Sequence, residues 1–197
     1  MVQRYDTQIR QQQIVRATLK IVAERGISGL TTAEIAREVG IAEGTIFRHF
    51  ASKNEILLAT VRYIRDTLLG WSRARVAGGG EPLEKLGDIL LFHLELFEQN
   101  SGIPKIIFSE QVHLHDEKLR QLMSETIGEY MELIGTIIRE GMEKGQFRPG
   151  LDVPMVVAAY LGLVQVSLLR WSLRGCQSSL TETHGRILRF LSTILQN

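Results

Sequence analysis

Between Leu30 and Phe50 the chain reads as two short helices joined by a tight turn. Thr31 and Glu34 form a Thr-x-x-Glu capping box, so the first helix is expected to begin at about Thr32. Ile35, Ala36 and Val39 recur at helical spacing and make its inner face. Gly40 ends it, because glycine takes the left-handed backbone of a helix C-terminus at little cost, and Ile41 plugs the space below the turn. The second helix is expected from about Glu43 to His49, with Ile46 and Phe50 inward and Glu43, Thr45, Phe47, Arg48 and His49 outward. A short helix with a polar, aromatic and cationic outer surface is the layout needed to enter a DNA major groove.

The flanks extend this pattern. Ser52 and Glu55 form a second capping box, starting a helix with Lys53 in its first turn. A cation there opposes the helix dipole, and gains where a phosphate lies across the same helix end. Upstream, Ile14, Ala17 and Ile21, with Val15 and Val22, make an apolar stripe on a helix of about Thr7 to Arg25, which Gly26 ends. Three helices of this kind can bury a small core.

On these residues the chain resembles the TetR/AcrR family of transcriptional regulators. The likeness is close over Ile14 to Leu58. Its anchors are the Gly26 turn, Thr31-Thr32-x-x-Ile35-Ala36, Gly40-Ile41, Gly44-Thr45-Ile46-Phe47-x-His49-Phe50 and Ser52-Lys53, in order and at the family's spacing. The resemblance implies that Thr31 and Thr32 touch phosphate. It implies that Glu43, Gly44, Thr45 and Arg48 face base edges or the adjacent backbone. Phe47 and His49 would pack against the sugar-phosphate strand, and Lys53 would bind phosphate. Phosphate contacts hold register, whereas base contacts carry sequence preference. Arg48 is the first choice for a base reader, since a guanidinium pairs with guanine in bidentate fashion. The chain departs from the family pattern in two places. Phe47 stands where many relatives carry Tyr, and Ala42 where many carry Ser, so a phenolic hydroxyl and a helix N-cap are missing; losing an N-cap costs about 1 kcal/mol.

Bulk charge does not announce nucleic-acid binding. Net charge is +1, and residues 1–55 hold eight Lys/Arg against six Asp/Glu. The DNA reading therefore rests on where groups are placed, and the low charge argues against a nonspecific architectural role. The single cysteine, Cys176, excludes an internal disulfide framework and a multi-cysteine zinc site, which fits a reducing cytoplasm. The N-terminal residues are polar and lack the apolar core of a signal peptide. The longest apolar run, Val153 to Val164, falls short of the roughly 20 residues that cross a bilayer, so a buried helix and no membrane association are expected.

The remainder reads as helix throughout. Helices are expected over Ser52 to Ala77, from Pro82 through Phe97, a short one opening at Pro104, then Asp116 to Lys144, Asp152 to Arg174 and Leu180 to Leu195. The expected class is all-α, about nine helices in total. A DNA-binding bundle with a helix-turn-helix (residues 1–53) would precede a larger helical effector-binding and dimerisation domain (residues 54–197). The helix from Asp152 is apolar nearly all round, more than one buried face of a small monomer requires. With the last helix it is expected to pack against its own copy through Val156, Tyr160, Leu161, Val164, Leu168, Ile187, Leu191 and Ile194. The family resemblance implies the same two-fold, four-helix interface. Such a homodimer would present two reading heads to a palindromic operator of double-stranded DNA, about one helical turn apart or somewhat more.

By resemblance an effector site lies among the middle helices. Candidate lining residues are Trp71, Phe92, His93, Phe97, Phe108, Met123, Ile127, Tyr130, Tyr160 and Trp171. Large aromatics, flexible methionines and few polar groups suit a small hydrophobic effector: a fatty-acyl compound, a drug-like aromatic or a lipid-derived signal. The stretch from Glu140 to Phe147 is similar to relatives that control fatty-acid metabolism. His113 and His115, with Glu110 and Asp116 nearby, are the one hint of a metal site; two histidines in a polar loop are more often solvated, and no metal or other cofactor is expected. No cluster of nucleophile, base and orienting group is visible, so no enzyme is expected. The leading expectation is a homodimeric repressor released from its operator by a ligand. The alternative is a helical ligand carrier or enzyme whose N-terminal bundle is vestigial.

Overall fold

The computed structural model describes residues 2–110 and 116–196, with side chains from Thr7 onward. His113 and His115 lie outside the described residues, and among those described no group of His, Cys, Asp or Glu is placed to hold a metal ion. The described residues form nine α-helices and no strand: α1 Val2–Arg25, α2 Thr32–Val39, α3 Glu43–Ile46, α4 Lys53–Ala77, α5 Pro82–Gln99, α6 Gly102–Ile107, α7 Glu117–Glu143, α8 Val153–Leu173 and α9 His184–Leu195. Short 3-10 turns at Ile27–Gly29 and Thr181–Thr183 precede α2 and α9. α1 begins five residues earlier than its apolar stripe suggested, since its first turns carry polar residues that leave no periodic signal.

The chain folds as two compact units. One comprises residues 1–65 and 100–123 and the other residues 66–99 and 124–197. In the first, α1 packs on α2 and α6, and α2 on α3. Ile14, Val22, Ile35 and Ile46 are fully buried in its core. α6 closes on α1 because Gly102 has no side chain: a Cβ there would lie 2.3 Å from the Leu19 carbonyl oxygen. The Lys105 ammonium donates to the Ala23 carbonyl near the end of α1. Carbonyls in the last turn of a helix lack partners within it, and a cation is favoured there by the dipole.

In the second unit α5 packs on α8 and α9. Lys85 is almost wholly buried and donates to the Val76 carbonyl at 3.2 Å and to Glu140 at 2.9 Å, so one ammonium ties the end of α4 to α5 and α7. Hydrogen bonds from Lys144 and Lys85 hold the Glu140 carboxyl below its usual range. At the other end, Glu98 accepts from the Thr181 backbone N–H at 2.8 Å and the Ser179 hydroxyl at 3.1 Å, fixing the 3-10 turn before α9 to the end of α5.

Candidate nucleic-acid interface and effector core

The geometry of the reading head follows from its caps. Thr31, in an extended conformation, accepts from the Glu34 N–H at 3.1 Å and starts α2. Gly40 ends it with φ 75°, and the Ile41 N–H reaches back to the Ala36 carbonyl at 3.0 Å, the reverse turn that glycine permits. Ala42 precedes α3 and gives no side-chain cap, as its methyl group dictates. α3 itself is one turn, shorter than expected. After Ile46 the chain stays coiled through tighter bonds, Arg48 N–H to the Thr45 carbonyl at 3.2 Å and His49 N–H to the Ile46 carbonyl at 2.9 Å. Ile46 (fully buried) and Phe50 (8% exposed) anchor this coil in the core. Ser52 then accepts from the Glu55 N–H at 3.3 Å while the Glu55 carboxylate takes the Ala51 N–H at 2.8 Å, a reciprocal cap for α4.

What the anchors leave outside is a contiguous polar and aromatic surface. Thr31, Glu43, Gly44, Phe47 and Arg48 are exposed, with Phe47 at 52%, and Thr32, Thr45, His49 and Lys53 are half-buried. Several neighbouring cations are neutralised: Lys20 pairs with Glu38 at 2.6 Å and Arg25 with Glu34 at 2.8 Å, and Arg37 also pairs with Glu34. Among the described residues no carboxylate lies within ion-pair range of Arg48 or Lys53. Two contacts were missed from sequence. The Thr32 hydroxyl donates to the Glu43 carboxylate, joining the two helices across the turn. The Gln11 amide reaches the His49 carbonyl at 3.4 Å, so α1 braces the end of the reading coil. Gln11 lies one turn before Ile14 on α1, but a polar residue at that spacing carries no mark of its partner.

Gly44 is unexplained by the protomer. It lies in a helix, and a Cβ there would meet no atom within 4 Å. A helical glycine in open space costs about 1 kcal/mol relative to alanine, so its absence of side chain fits a surface that something else approaches closely. Gly44→Ala is expected to raise the melting temperature slightly while weakening operator binding about tenfold or more, a trade seen only where the vacant volume serves a ligand. Parallel thermal melts and DNA titrations check this. Unchanged binding would show the glycine to be incidental.

The residues singled out for an effector separate into groups. His93, Tyr130 and Tyr160 meet in the core of the second unit: His93 Nδ1 lies 2.9 Å from the Tyr130 hydroxyl, which lies 3.2 Å from the Tyr160 hydroxyl. Phe97 packs edge-on to His93 with ring centroids 4.4 Å apart. Trp71 and Phe92 stack in parallel at 4.4 Å, with Trp71 37% exposed. Ile127 is half-buried in the same unit. Phe108, exposed, and Met123, half-buried, belong to the unit that holds the reading head. Trp171 is buried and donates its indole N–H to the Ser178 carbonyl at 2.7 Å, bracing the chain after α8.

The structure corrects the face assigned to the interface. Val156, Tyr160, Val164, Leu168, Ile187 and Leu191 are buried inside the protomer, and only Leu161 and Ile194 of that set are half-exposed. The open face of α8 carries Met155 (65% exposed), Val166 (56%), Leu169 (43%) and Leu173 (77%) on one stripe, with Gly162 among them. Beside it, Leu163, Val166, Arg170, Ile187 and Phe190 line a groove of about 680 Å³ between α8 and α9. An all-round apolar helix gives periodicity no way to choose a face, which is why the residues picked from the sequence lie on the inward side. α8 is also longer than its uninterrupted apolar run: its 21 residues are long and apolar enough to cross a membrane, with only 28% of its most apolar stretch buried in the protomer.

Comparison with known proteins matches these two parts of the chain. Residues 14–60 match the model of bacterial regulatory proteins of the tetR family, and residues 66–193 match that of the YsiA-like protein C-terminal region. The chain is 23% identical over 185 residues to the fatty acid metabolism regulator protein of Bacillus subtilis, covering 94% of this chain and 95% of that one. It is 28% identical over 170 residues to the HTH-type transcriptional repressor KstR2 of Mycobacterium tuberculosis, covering 82% of this chain and 80% of that one. The fold matches the crystal structure of FadR from Bacillus subtilis in complex with stearoyl-CoA with a TM-score of 0.80 at 22% identity, over 94% of this chain and 99% of that one. With a family model covering most of its C-terminal part and another its helix-turn-helix, the chain belongs to the TetR family and is a DNA-binding transcriptional regulator.

Proposed function

We propose that the protein is a homodimeric repressor that holds a palindromic operator through the α2–α3 surface and releases it when a small hydrophobic effector enters the second unit. The observation that carries this is the exposed coil from Glu43 to His49, with Arg48 and Lys53 free of carboxylate partners among the described residues. Arg48 and Glu43 are assigned to base edges, with Thr45 and Gly44 at the closest approach. Thr31, Thr32 and Lys53 are assigned to phosphate, and Phe47 and His49 to the sugar-phosphate strand. Residues 1–53 carry the reading surface, and the effector and partner surfaces are assigned within residues 54–197. The dimer forms through the open faces of α8 and α9, where Gly162 lets a second helix approach. This is a cytoplasmic role. The alternative, a helical carrier or enzyme with a vestigial head, gives no reason for a polar reading surface whose cations lack partners.

Lys53→Ala is expected to weaken all duplexes alike and to lower the slope of log K against log salt by about 1 per head, so about 2 for the dimer. Titrations at several salt concentrations measure it, and an unchanged slope removes Lys53 from the footprint.

The fatty-acyl class is favoured for the effector because the Bacillus subtilis regulator was crystallised with stearoyl-CoA. The test is fluorescence anisotropy of a labelled operator bound by the purified protein. Micromolar long-chain acyl-CoA is expected to free the DNA, with coenzyme A alone inert. An operator complex indifferent to acyl-CoA of every chain length would overturn the acyl reading.

A further inference from the structure

The core of the second unit contains three polar side chains that packing alone does not call for. His93 on α5, Tyr130 on α7 and Tyr160 on α8 are 4%, 2% and 1% exposed and hydrogen-bond in series. Fully apolar positions surround them along the same helices: Ile89, Leu90 and Leu94 on α5, Ile134 on α7 and Val164 on α8. Phenylalanine or leucine would fill these places without the cost of taking polar groups out of water.

Counting protons shows what the chain lacks. Burial lowers the His93 pKa to about 3, so the ring is neutral, and burial opposes ionisation of both tyrosines. A neutral imidazole and two phenols carry three polar hydrogens, but the series has two links. If Tyr130 donates to His93 Nδ1, then Tyr160 donates to Tyr130 and the imidazole Nε2–H is left over. If His93 Nδ1–H donates to Tyr130, then Tyr130 donates to Tyr160 and the Tyr160 hydroxyl hydrogen is left over. Either way one end of the series has a donor to give, and among the described residues none of the three makes a further hydrogen bond. That hydrogen is available to an acceptor brought by a ligand. The series holds no charge, so it suits a neutral acceptor and offers nothing to compensate a carboxylate.

We propose that the His93–Tyr130–Tyr160 series is the polar end of the effector site, and that it selects an apolar chain bearing a neutral carbonyl, as in an acyl thioester, over the same chain without one or ending in a carboxylate. This rests on the acyl-effector reading and specifies which atom of the ligand is recognised.

The test uses the full-length protein and three probes: stearoyl-CoA, its thioether analogue S-octadecyl-CoA, which lacks only the carbonyl oxygen, and stearate. Wild type is expected to bind the thioester about tenfold more tightly than the thioether, the worth of one buried hydrogen bond, and to bind stearate more weakly still. In Tyr160→Phe and Tyr130→Phe the thioester and thioether are expected to bind alike, while operator affinity without ligand is unchanged. Two variants guard against a loss of folding in one, and the ratio of two ligands is a readout that mere destabilisation does not move. A wild-type protein that binds thioester and thioether equally, or variants that keep the wild-type ratio, would overturn carbonyl selection and leave the acyl effector standing. Binding of none of the three by wild type would instead overturn the acyl reading itself.

Discussion

Leu169→Glu is expected to yield a folded monomer that binds an intact operator at least about a hundredfold more weakly. Leu169 is 43% exposed in the protomer and shares the open stripe of α8 with Met155, Val166 and Leu173. Its change to glutamate therefore leaves the protomer's core untouched, and surface changes of this kind move stability by about 0.5 kcal/mol or less. In the proposed dimer the same carboxylate is buried, and an unpaired buried charge costs about 3–5 kcal/mol. Residues 165, 166, 172 and 173, its neighbours one turn away, are Gln, Val, Ser and Leu, so no cation lies one turn away on its own helix. Each head of a separated pair must then find its half-site alone, and the gain from linking them is lost. The adjacent residue sharpens the test. Leu168 is 2% exposed, so Leu168→Glu is expected to unfold the protomer. Sedimentation velocity with circular dichroism separates the two outcomes, and an intact Leu169→Glu dimer would refute the assigned face.

Arg48→Ala is expected to cost about 1–3 kcal/mol per head on the cognate site and to relax sequence choice at one position of each half-site. The side chain is exposed, and no carboxylate among the described residues neutralises it, so no internal bond is lost on truncation. A bidentate pair with guanine is the strongest single contact available to a guanidinium in the major groove. Selection of binding sites from a random pool, run with both proteins, reads the change directly. An equal loss on cognate and random DNA would reduce Arg48 to a phosphate contact.

The local chemistry of the head was legible in the sequence because caps are written in neighbouring residues. Thr31 with Glu34, Gly40 and Ser52 with Glu55 occupy the positions their side chains dictate. Ile46 and Phe50 point inward as their spacing required. What was not legible depends on residues far apart in the chain. α6 joins α1 through Gly102 against the Leu19 carbonyl and through Lys105, so residues 100–123 group with the head, and no periodic signal announces such a contact. The face of α8 was hidden for a different reason: valine, leucine and methionine occur on every side of it. The polar series through His93 was visible only as residues in a candidate list, since its meaning lies in two hydrogen bonds between three helices.

Hydroxyl-radical footprinting on genomic fragments selected by the purified protein is the most direct measurement. Two protected patches related by two-fold symmetry, each flanking a major groove and bound by a dimer, are the predicted result. Protection of no fragment, or of a single half-site by a monomer, would contradict a reading head at Glu43 to His49 duplicated through α8 and α9.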